Sequence, residues 1–141
     1  HGSGDFAVAN NGNIVNAKQL RDALESKGSL FHSMTDSELL AHLIKKESPE
    51  EPRINSIISA LNLLEGAFAF LIMTKNRIYA CRDKYGMHPL SIGRIGEGYV
   101  VASESCAFDT MGAEFLRDIE PGEIVTINHK GLNHIFAVYI I

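Results

Sequence analysis

The sequence lacks several features that would assign it to a specialised class of protein. In its 141 residues, no apolar run approaches the roughly 18 residues of a membrane-spanning helix, which predicts no membrane span. The 13 basic and 17 acidic residues are interspersed and leave a net charge of −4, so no basic patch favours nucleic acid. There is also no internal repeat, low-complexity segment or Gly-rich phosphate loop. These absences favour a small molecule or another protein chain as the partner.

Cysteine is scarce, and histidine forms no metal-ligand set. Cys81 and Cys106 are the only thiols, and the polar, Gly-rich start at residues 1–5 does not resemble a signal peptide. We therefore expect a cytoplasmic chain whose two cysteines are reduced, buried and structural. His129 and His134 are the closest pair of histidines, but they lack the further ligands and helical spacing of a zinc site.

What the sequence does contain fits one domain, residues 1–141, with 45% apolar and 21% charged residues. Helical periodicity predicts a first helix from about Ala17 to Lys27, capped by Asn16. Thr35-Asp36-Ser37-Glu38 has the pattern of a capping box and predicts the start of a second helix, which ends near Lys46. A third helix follows the Pro-containing connector at residues 48–52.

From Gly66 onward the pattern changes to short apolar runs between turn residues, which is typical of an antiparallel meander. The run from Ala67 to Met73 is continuous enough for a strand that is covered on both faces. A short helical segment near Ser105–Met111 interrupts the strands, and the last apolar run is Ile135–Ile141. An α+β architecture, with helices packed on an antiparallel sheet, is expected.

The segment from Ala9 to Ala17 holds the candidate site. Phe6–Ala9 has strand character, and Asn11-Gly12 predicts a sharp turn at the end of that strand. The Asn11 side-chain amide and the Gly12 N–H could converge as two donors of an oxyanion hole, which stabilises the negative oxygen that forms during acyl transfer. A turn without any chemistry is the alternative, and Asn-Gly turns are common.

Several further motifs occur in one order along the chain. They are Asn11-Gly12-Asn13 followed by Asn16-Ala17, Thr35-Asp36-Ser37-Glu38, Gly66-Ala67-Phe68, Arg82-Asp83-x-x-Gly86-x-x-Pro89-Leu90, Ala102-Ser103-Glu104-Ser105, and Asp118-x-Glu120-Pro121-Gly122-Glu123. From about Phe6 to Gly131, the chain resembles the glutamine-hydrolysing domain of the amidophosphoribosyltransferases, a family of class II glutamine amidotransferases that begins purine biosynthesis. The equivalent domain of glucosamine-6-phosphate synthase is the nearest competitor.

The resemblance implies a fold and a mechanism. The fold is that of the N-terminal-nucleophile hydrolases, a four-layer αββα sandwich, here truncated at its N-terminus. The family's N-terminal Cys attacks the side-chain amide of L-glutamine, water releases glutamate, and the ammonia passes to a phosphoribosyltransferase domain. There it displaces pyrophosphate from phosphoribosyl pyrophosphate. A homo-oligomeric full-length enzyme is also implied.

Three residues of this chain match functional positions of the family. Asn11 and Gly12 match the oxyanion donors, and Asp36 matches the carboxylate that binds the α-ammonium group of the substrate, a charge-assisted contact. A purely structural role for Asp36 is also open, because an acid in the first turn complements the helix dipole by about 0.3 to 1 kcal/mol.

Some features of the family are missing from these residues. Residue 1 is His1, so the nucleophilic Cys is absent, and we interpret the chain as an inactive fragment without its phosphoribosyltransferase domain. Asn10 and His88 replace a His and an Arg that the family usually has. No cofactor is expected in this chain, because the Mg²⁺ of the family, and the iron-sulfur cluster of some relatives, belong to the missing regions. A non-catalytic module for glutamine binding or assembly is the second hypothesis.

Overall fold

The computed structural model describes residues 6–47, 53–128 and 134–139, the last group by its backbone only. The elements follow one another as β1 Ala7–Ile14, α1 Ala17–Ser26, α2 Asp36–Glu47, α3 Ile54–Leu61, β2 Gly66–Met73, β3 Arg77–Arg82, β4 Ser91–Ile95, β5 Gly98–Ala102, α4 Cys106–Met111, β6 Glu114–Asp118, β7 Glu123–Asn128 and β8 His134–Tyr139. The predicted connector at 48–52 and the last two residues of the predicted final strand lie outside the described residues.

Two antiparallel sheets form the centre of the described fold. One has five strands in the order β1-β2-β3-β7-β8, and the other has three in the order β5-β4-β6. Helices α1, α2 and α3 bury their apolar side chains against one face of the five-stranded sheet, where Phe68, Phe70 and Ile72 of β2 meet them. The predicted helices and strands are therefore confirmed in kind and order.

The opposite face of the five-stranded sheet packs on the three-stranded sheet. Ala69 of β2, Ala80 of β3 and Val125 of β7 meet Ile92 of β4 in a second apolar cluster. Alternate residues of β2 thus enter different cores, which confirms the prediction of a strand covered on both faces.

Helix α4 supplies a thin fourth layer. Its Phe108 packs against Gly93 of β4. A Cβ added to Gly93 would lie 2.9 Å from the phenyl ring. Since Ile92, the neighbouring residue of β4, points between the sheets, Gly93 and Phe108 lie on the outer face. The order of layers is helices, sheet, sheet, helix, as predicted, but among the described residues the outer helical layer consists of the six residues of α4.

Two local predictions about β1 and the start of α1 are wrong. Asn11-Gly12 does not form a turn, because both residues lie inside the eight-residue strand β1, which pairs with β2 from Ala7 to Ile14. Asn16 does not cap α1 with its side chain. It accepts from the Glu65 N–H at 2.9 Å and donates to the Leu63 carbonyl at 2.9 Å, and so joins the start of α1 to the loop before β2.

Candidate functional site

The candidate site lies along β1, where the chain approaches β2 unusually closely. Gly12 has φ +155°, and a Cβ at this position would meet the Ala67 carbonyl oxygen and lie 2.7 Å from the Phe68 Cα. Any other residue would therefore collide with the β2 backbone. Glycine at this position is a requirement of the strand pairing.

The direction of the main-chain groups of β1 decides which of them a ligand can reach. Val15 donates its N–H to the Glu65 carbonyl at 2.8 Å, toward the side of β2. Because main-chain groups alternate along an antiparallel strand, the N–H groups of Ile14 and Gly12 point the other way. In the part of the chain that the structure describes, β2 is the only strand beside β1. The Gly12 N–H therefore points to the outer edge of the sheet.

The first turn of α2 contacts β1 on both sides of Gly12. The Ser37 hydroxyl donates to the Asn10 side-chain oxygen at 2.6 Å. The Asp36 carboxylate interacts with the main-chain N–H of Ile14. Since Asn10 and Ile14 flank Gly12, the structure brings Asp36 and Gly12 to the same stretch of the β1 edge.

Asn11 has a different orientation from its neighbours. Ile14 belongs to the core under the helices, and Asn10, on the same face, reaches α2. Alternation therefore places the exposed Asn11 side chain on the opposite face of the strand. The Asn11 amide and the Gly12 N–H can meet only at a ligand that lies along the outer edge of β1.

The Asp36 carboxyl is partly buried, and its environment contains opposing influences. Burial raises its pKa above the ordinary value and is the largest effect, while the positive charge of Arg21 and the Ile14 N–H lower it. A positively charged group placed beside Asp36 would favour the ionised carboxylate. The site has the chemistry to bind an ammonium group.

Arg21 is a site residue that the sequence did not reveal. Its side chain is buried, with 4% exposed, and its guanidinium donates to the Ser33 carbonyl at 2.9 Å and the Thr35 carbonyl at 2.6 Å. Its partners are main-chain oxygens 12 and 14 residues away, which leave no signal in the sequence. The only hint was its position three residues before the buried Leu24, on the inner face of α1.

The predicted capping box at the start of α2 is half formed. Thr35 accepts from the Glu38 N–H at 3.3 Å, as predicted. The Glu38 carboxylate instead accepts from the N–H groups of His32 and Ser33 and from the Ser33 hydroxyl, at 2.7 to 2.8 Å. Those hydrogen bonds lower the pKa of Glu38 to about 2. This carboxylate orders the loop that precedes the helix.

The two thiols lie away from Gly12. Cys81 is fully buried in β3 and pairs with Phe70, whose partner in β1 is Asn10, so two strand spacings of about 4.8 Å each separate it from the site. Burial raises its pKa far above the ordinary range. Cys106, at the start of α4, is exposed, contrary to the prediction that both thiols are buried. Cys81 is thus enclosed in the core, and Cys106 lies on α4, the outer helical layer.

The Arg82-Asp83 motif has a structural role in this fold. The buried Asp83 carboxylate accepts from the N–H groups of Phe68, Tyr85 and Gly86 at 2.9 to 3.2 Å. Arg82 donates to the carbonyls of Gly86, His88 and Ile119. The motif joins the loop after β3 to β2 and to the turn before β7.

A groove of about 550 Å³ lies between α1 and the loop before α2, lined by Arg21 and Phe31 among others. It borders that loop, but Asn11, Gly12 and Asp36 do not line it.

Among the residues that the structure describes, none of the helices combines the length and the apolar character of a membrane span.

Comparisons with known proteins agree with the motifs. A family model described as glutamine amidotransferase domain matches residues 1–110. The chain is 49% identical to the amidophosphoribosyltransferase of Bacillus subtilis strain 168 over 130 residues, which are 92% of this chain and 27% of that protein. It is 42% identical to that of Staphylococcus aureus strain MRSA252 over 127 residues, 89% of this chain and 25% of the relative. The chain thus spans about a quarter of the length of these relatives.

Solved structures give the same result. The glutamine phosphoribosylpyrophosphate amidotransferase of B. subtilis, solved with ADP and GMP, superposes with a TM-score of 0.91 and 46% identity, over 100% of this chain and 30% of that one. A glutamine aminotransferase class-II domain protein of Silicibacter pomeroyi matches at a TM-score of 0.64 and 18% identity, over 96% of this chain and 66% of its own, and supports the fold alone. The expected resemblance and the N-terminal-nucleophile hydrolase fold are confirmed.

Proposed function

Because this chain belongs to the glutamine amidotransferase domain family, we propose that it is the glutamine-binding part of an amidophosphoribosyltransferase. In the proposed reaction, glutamine and water give glutamate and ammonia, and the ammonia displaces pyrophosphate from phosphoribosyl pyrophosphate on a separate phosphoribosyltransferase domain. The proposed enzyme is cytoplasmic and homo-oligomeric, and it uses neither a membrane nor a nucleic acid.

The proposal is supported by the contacts between the start of α2 and β1. Asp36 interacts with the Ile14 N–H, and Ser37 binds Asn10, so the two contacts lie on either side of Gly12. Asp36 binds the α-ammonium group of glutamine. The Gly12 N–H and the Asn11 amide receive the oxygen of the side-chain amide, which becomes negative when a nucleophile attacks. In this proposal, the site fits a substrate such as glutamine, which has a positively charged ammonium group at one end and an amide at the other.

The nucleophile comes from outside these 141 residues in this proposal. Cys81 is buried in the core and Cys106 lies on α4, so neither supports attack at the β1 edge. The 141 residues by themselves therefore bind glutamine without hydrolysing it.

The test is a titration of the ¹⁵N-labelled chain with L-glutamine, followed by NMR. We expect the amide signals of Gly12 and Asp36 to move in a saturable way, and Asp36→Asn to weaken binding by about tenfold, the effect of losing one charge-assisted contact. Asp22→Asn is the matched control, since Asp22 is an exposed acid of α1 that pairs with Lys18. Saturable shifts elsewhere in the chain, unaffected by Asp36→Asn, would refute the proposed site.

A further inference from the structure

We propose that Arg21 is a positioning residue for Asp36: it fixes the loop at residues 31–35, and through that loop it places the Asp36 carboxylate at the β1 edge. The positioning of the loop is inferred from the contacts of Arg21. The expected effect, selectivity for a ligand with an α-ammonium group, rests on the proposed function.

The loop has little apolar packing of its own. Met34 is 81% exposed, while Phe31 packs partly against the core and its ring centre lies 4.3 Å from that of His42. The rest of the loop is held by polar contacts. Within the loop, the hydroxyls of Ser33 and Thr35 lie 3.0 Å apart. The charged groups that bind it from the helices are Arg21 on α1 and Glu38 on α2.

Arg21 holds the carbonyl oxygens of this loop. It binds Ser33 and Thr35 with two guanidinium nitrogens, and its guanidinium lies 5.1 Å from the centre of the Phe31 ring. Thr35 is the residue directly before Asp36, so the bond to its carbonyl fixes the peptide from which α2 begins. A planar, rigid donor group holds two acceptors in one geometry, which a single ammonium cannot do.

Glu38 holds the N–H groups of the same loop from the other side. It accepts from the main chain at His32 and Ser33, and His42 Nε2 lies 3.6 Å from its carboxylate. Arg21 of α1 thus binds carbonyl groups of the loop, and Glu38 of α2 binds its N–H groups. Arg21 also acts on Asp36, because its positive charge favours the ionised form of that carboxyl group.

The charged groups that face Asp36 come from two helices. Arg21 of α1 lowers the pKa of Asp36, whereas Glu38, on α2 itself, is engaged by the loop. Strand β1 contains no charged residue and contributes only the Ile14 N–H. Arg21 is therefore the charged group that, together with the Ile14 N–H, opposes the effect of burial and favours the anion that an ammonium ligand needs.

The experiment compares the 141-residue chain with its Arg21→Gln and Arg21→Lys variants by NMR. We expect Arg21→Gln to move the titration midpoint of the Asp36 carboxyl carbon to higher pH, with Arg21→Lys restoring the midpoint in part. We also expect Arg21→Gln to speed amide exchange severalfold at Leu39, whose N–H donates to the Thr35 carbonyl. Lys18→Gln is the control, because it removes an exposed positive charge from the same helix. An unchanged midpoint and exchange rate in Arg21→Gln would overturn the proposal.

A second arm uses ligands and separates this proposal from the proposed function. We expect Arg21→Gln to weaken binding of L-glutamine about tenfold and to leave glutaric acid monoamide, which lacks the α-ammonium group, unaffected. Equal losses for the two ligands would overturn the positioning role. If the wild-type chain binds neither ligand, the proposed function fails, while the carboxyl titration still decides the role of Arg21.

Discussion

At the scale of single residues, Gly12 is where strand pairing and the proposed binding site meet. The absence of a side chain lets β1 lie close to the backbone of β2 at Ala67 and Phe68. The Gly12 N–H points to the opposite side of β1, the outer edge, where the proposed ligand would bind. Strand pairing therefore requires glycine at this position, whereas the proposed binding uses only its main chain.

Gly12→Ala tests the packing requirement. Because the new Cβ would collide with backbone atoms that cannot rotate away, we expect a loss of about 1 to 3 kcal/mol in the free energy of unfolding. Urea denaturation followed by circular dichroism measures it. The control is Gly98→Ala in β5, where the nearest atom to a new Cβ is 3.6 Å away and the expected change is within about 0.5 kcal/mol. Equal stability of the two variants would show that β1 and β2 do not pair as described.

At the scale of elements, the spacing of apolar residues correctly predicted most of the helices and strands. The apolar run of β2 and the helical spacing of α3 are long, consistent patterns that tertiary contacts reinforce. Asn11-Gly12 was misjudged because its local preference for a turn is outweighed by eight paired residues along β2. The site was only half predictable: Asp36 followed from its motif, whereas the contacts of Arg21 depend on a loop whose path no periodic pattern specifies.

The junction of β6 and β7 carries a charge pair whose pH dependence can be tested. Arg117 donates two hydrogen bonds of 2.9 Å to the buried Glu123, which also accepts from the Glu120 N–H. Burial alone would raise the pKa of Glu123, but these hydrogen bonds and the charge of Arg117 outweigh it and lower the pKa. The folded state thus holds the ionised form more strongly than the unfolded chain does.

Arg117→Ala should therefore destabilise the fold by about 1 to 3 kcal/mol at neutral pH, the cost of a buried acceptor without its donor. A carboxylate whose pKa is lowered by folding stabilises the protein above its unfolded pKa, and this contribution disappears as the pH falls through the folded pKa. Thermal denaturation between pH 7 and pH 3 should show the difference between variant and wild type shrinking on acidification. Arg94→Ala, which removes an exposed guanidinium beside Tyr99, should show no such trend; a constant difference for Arg117→Ala would contradict the assignment.

At the scale of the whole molecule, the fold separates the proposed glutamine site from both thiols. The β1 edge offers a carboxylate and outward N–H groups, while the thiols lie in the core and on α4. We expect the purified chain to release no ammonia from L-glutamine above a buffer control in a coupled glutamate dehydrogenase assay. Sustained release, abolished by Cys106→Ser, would identify the exposed thiol as a nucleophile and contradict the proposed division.

The most direct test of the central claim is a crystal structure of this chain with L-glutamate, the product of glutamine hydrolysis. The account predicts the ligand along the outer edge of β1, with its α-ammonium group within hydrogen-bond distance of the Asp36 carboxylate and its side-chain carboxylate at the Gly12 N–H and the Asn11 amide. A ligand bound elsewhere, or bound at this edge with its α-ammonium group turned away from Asp36, would contradict it.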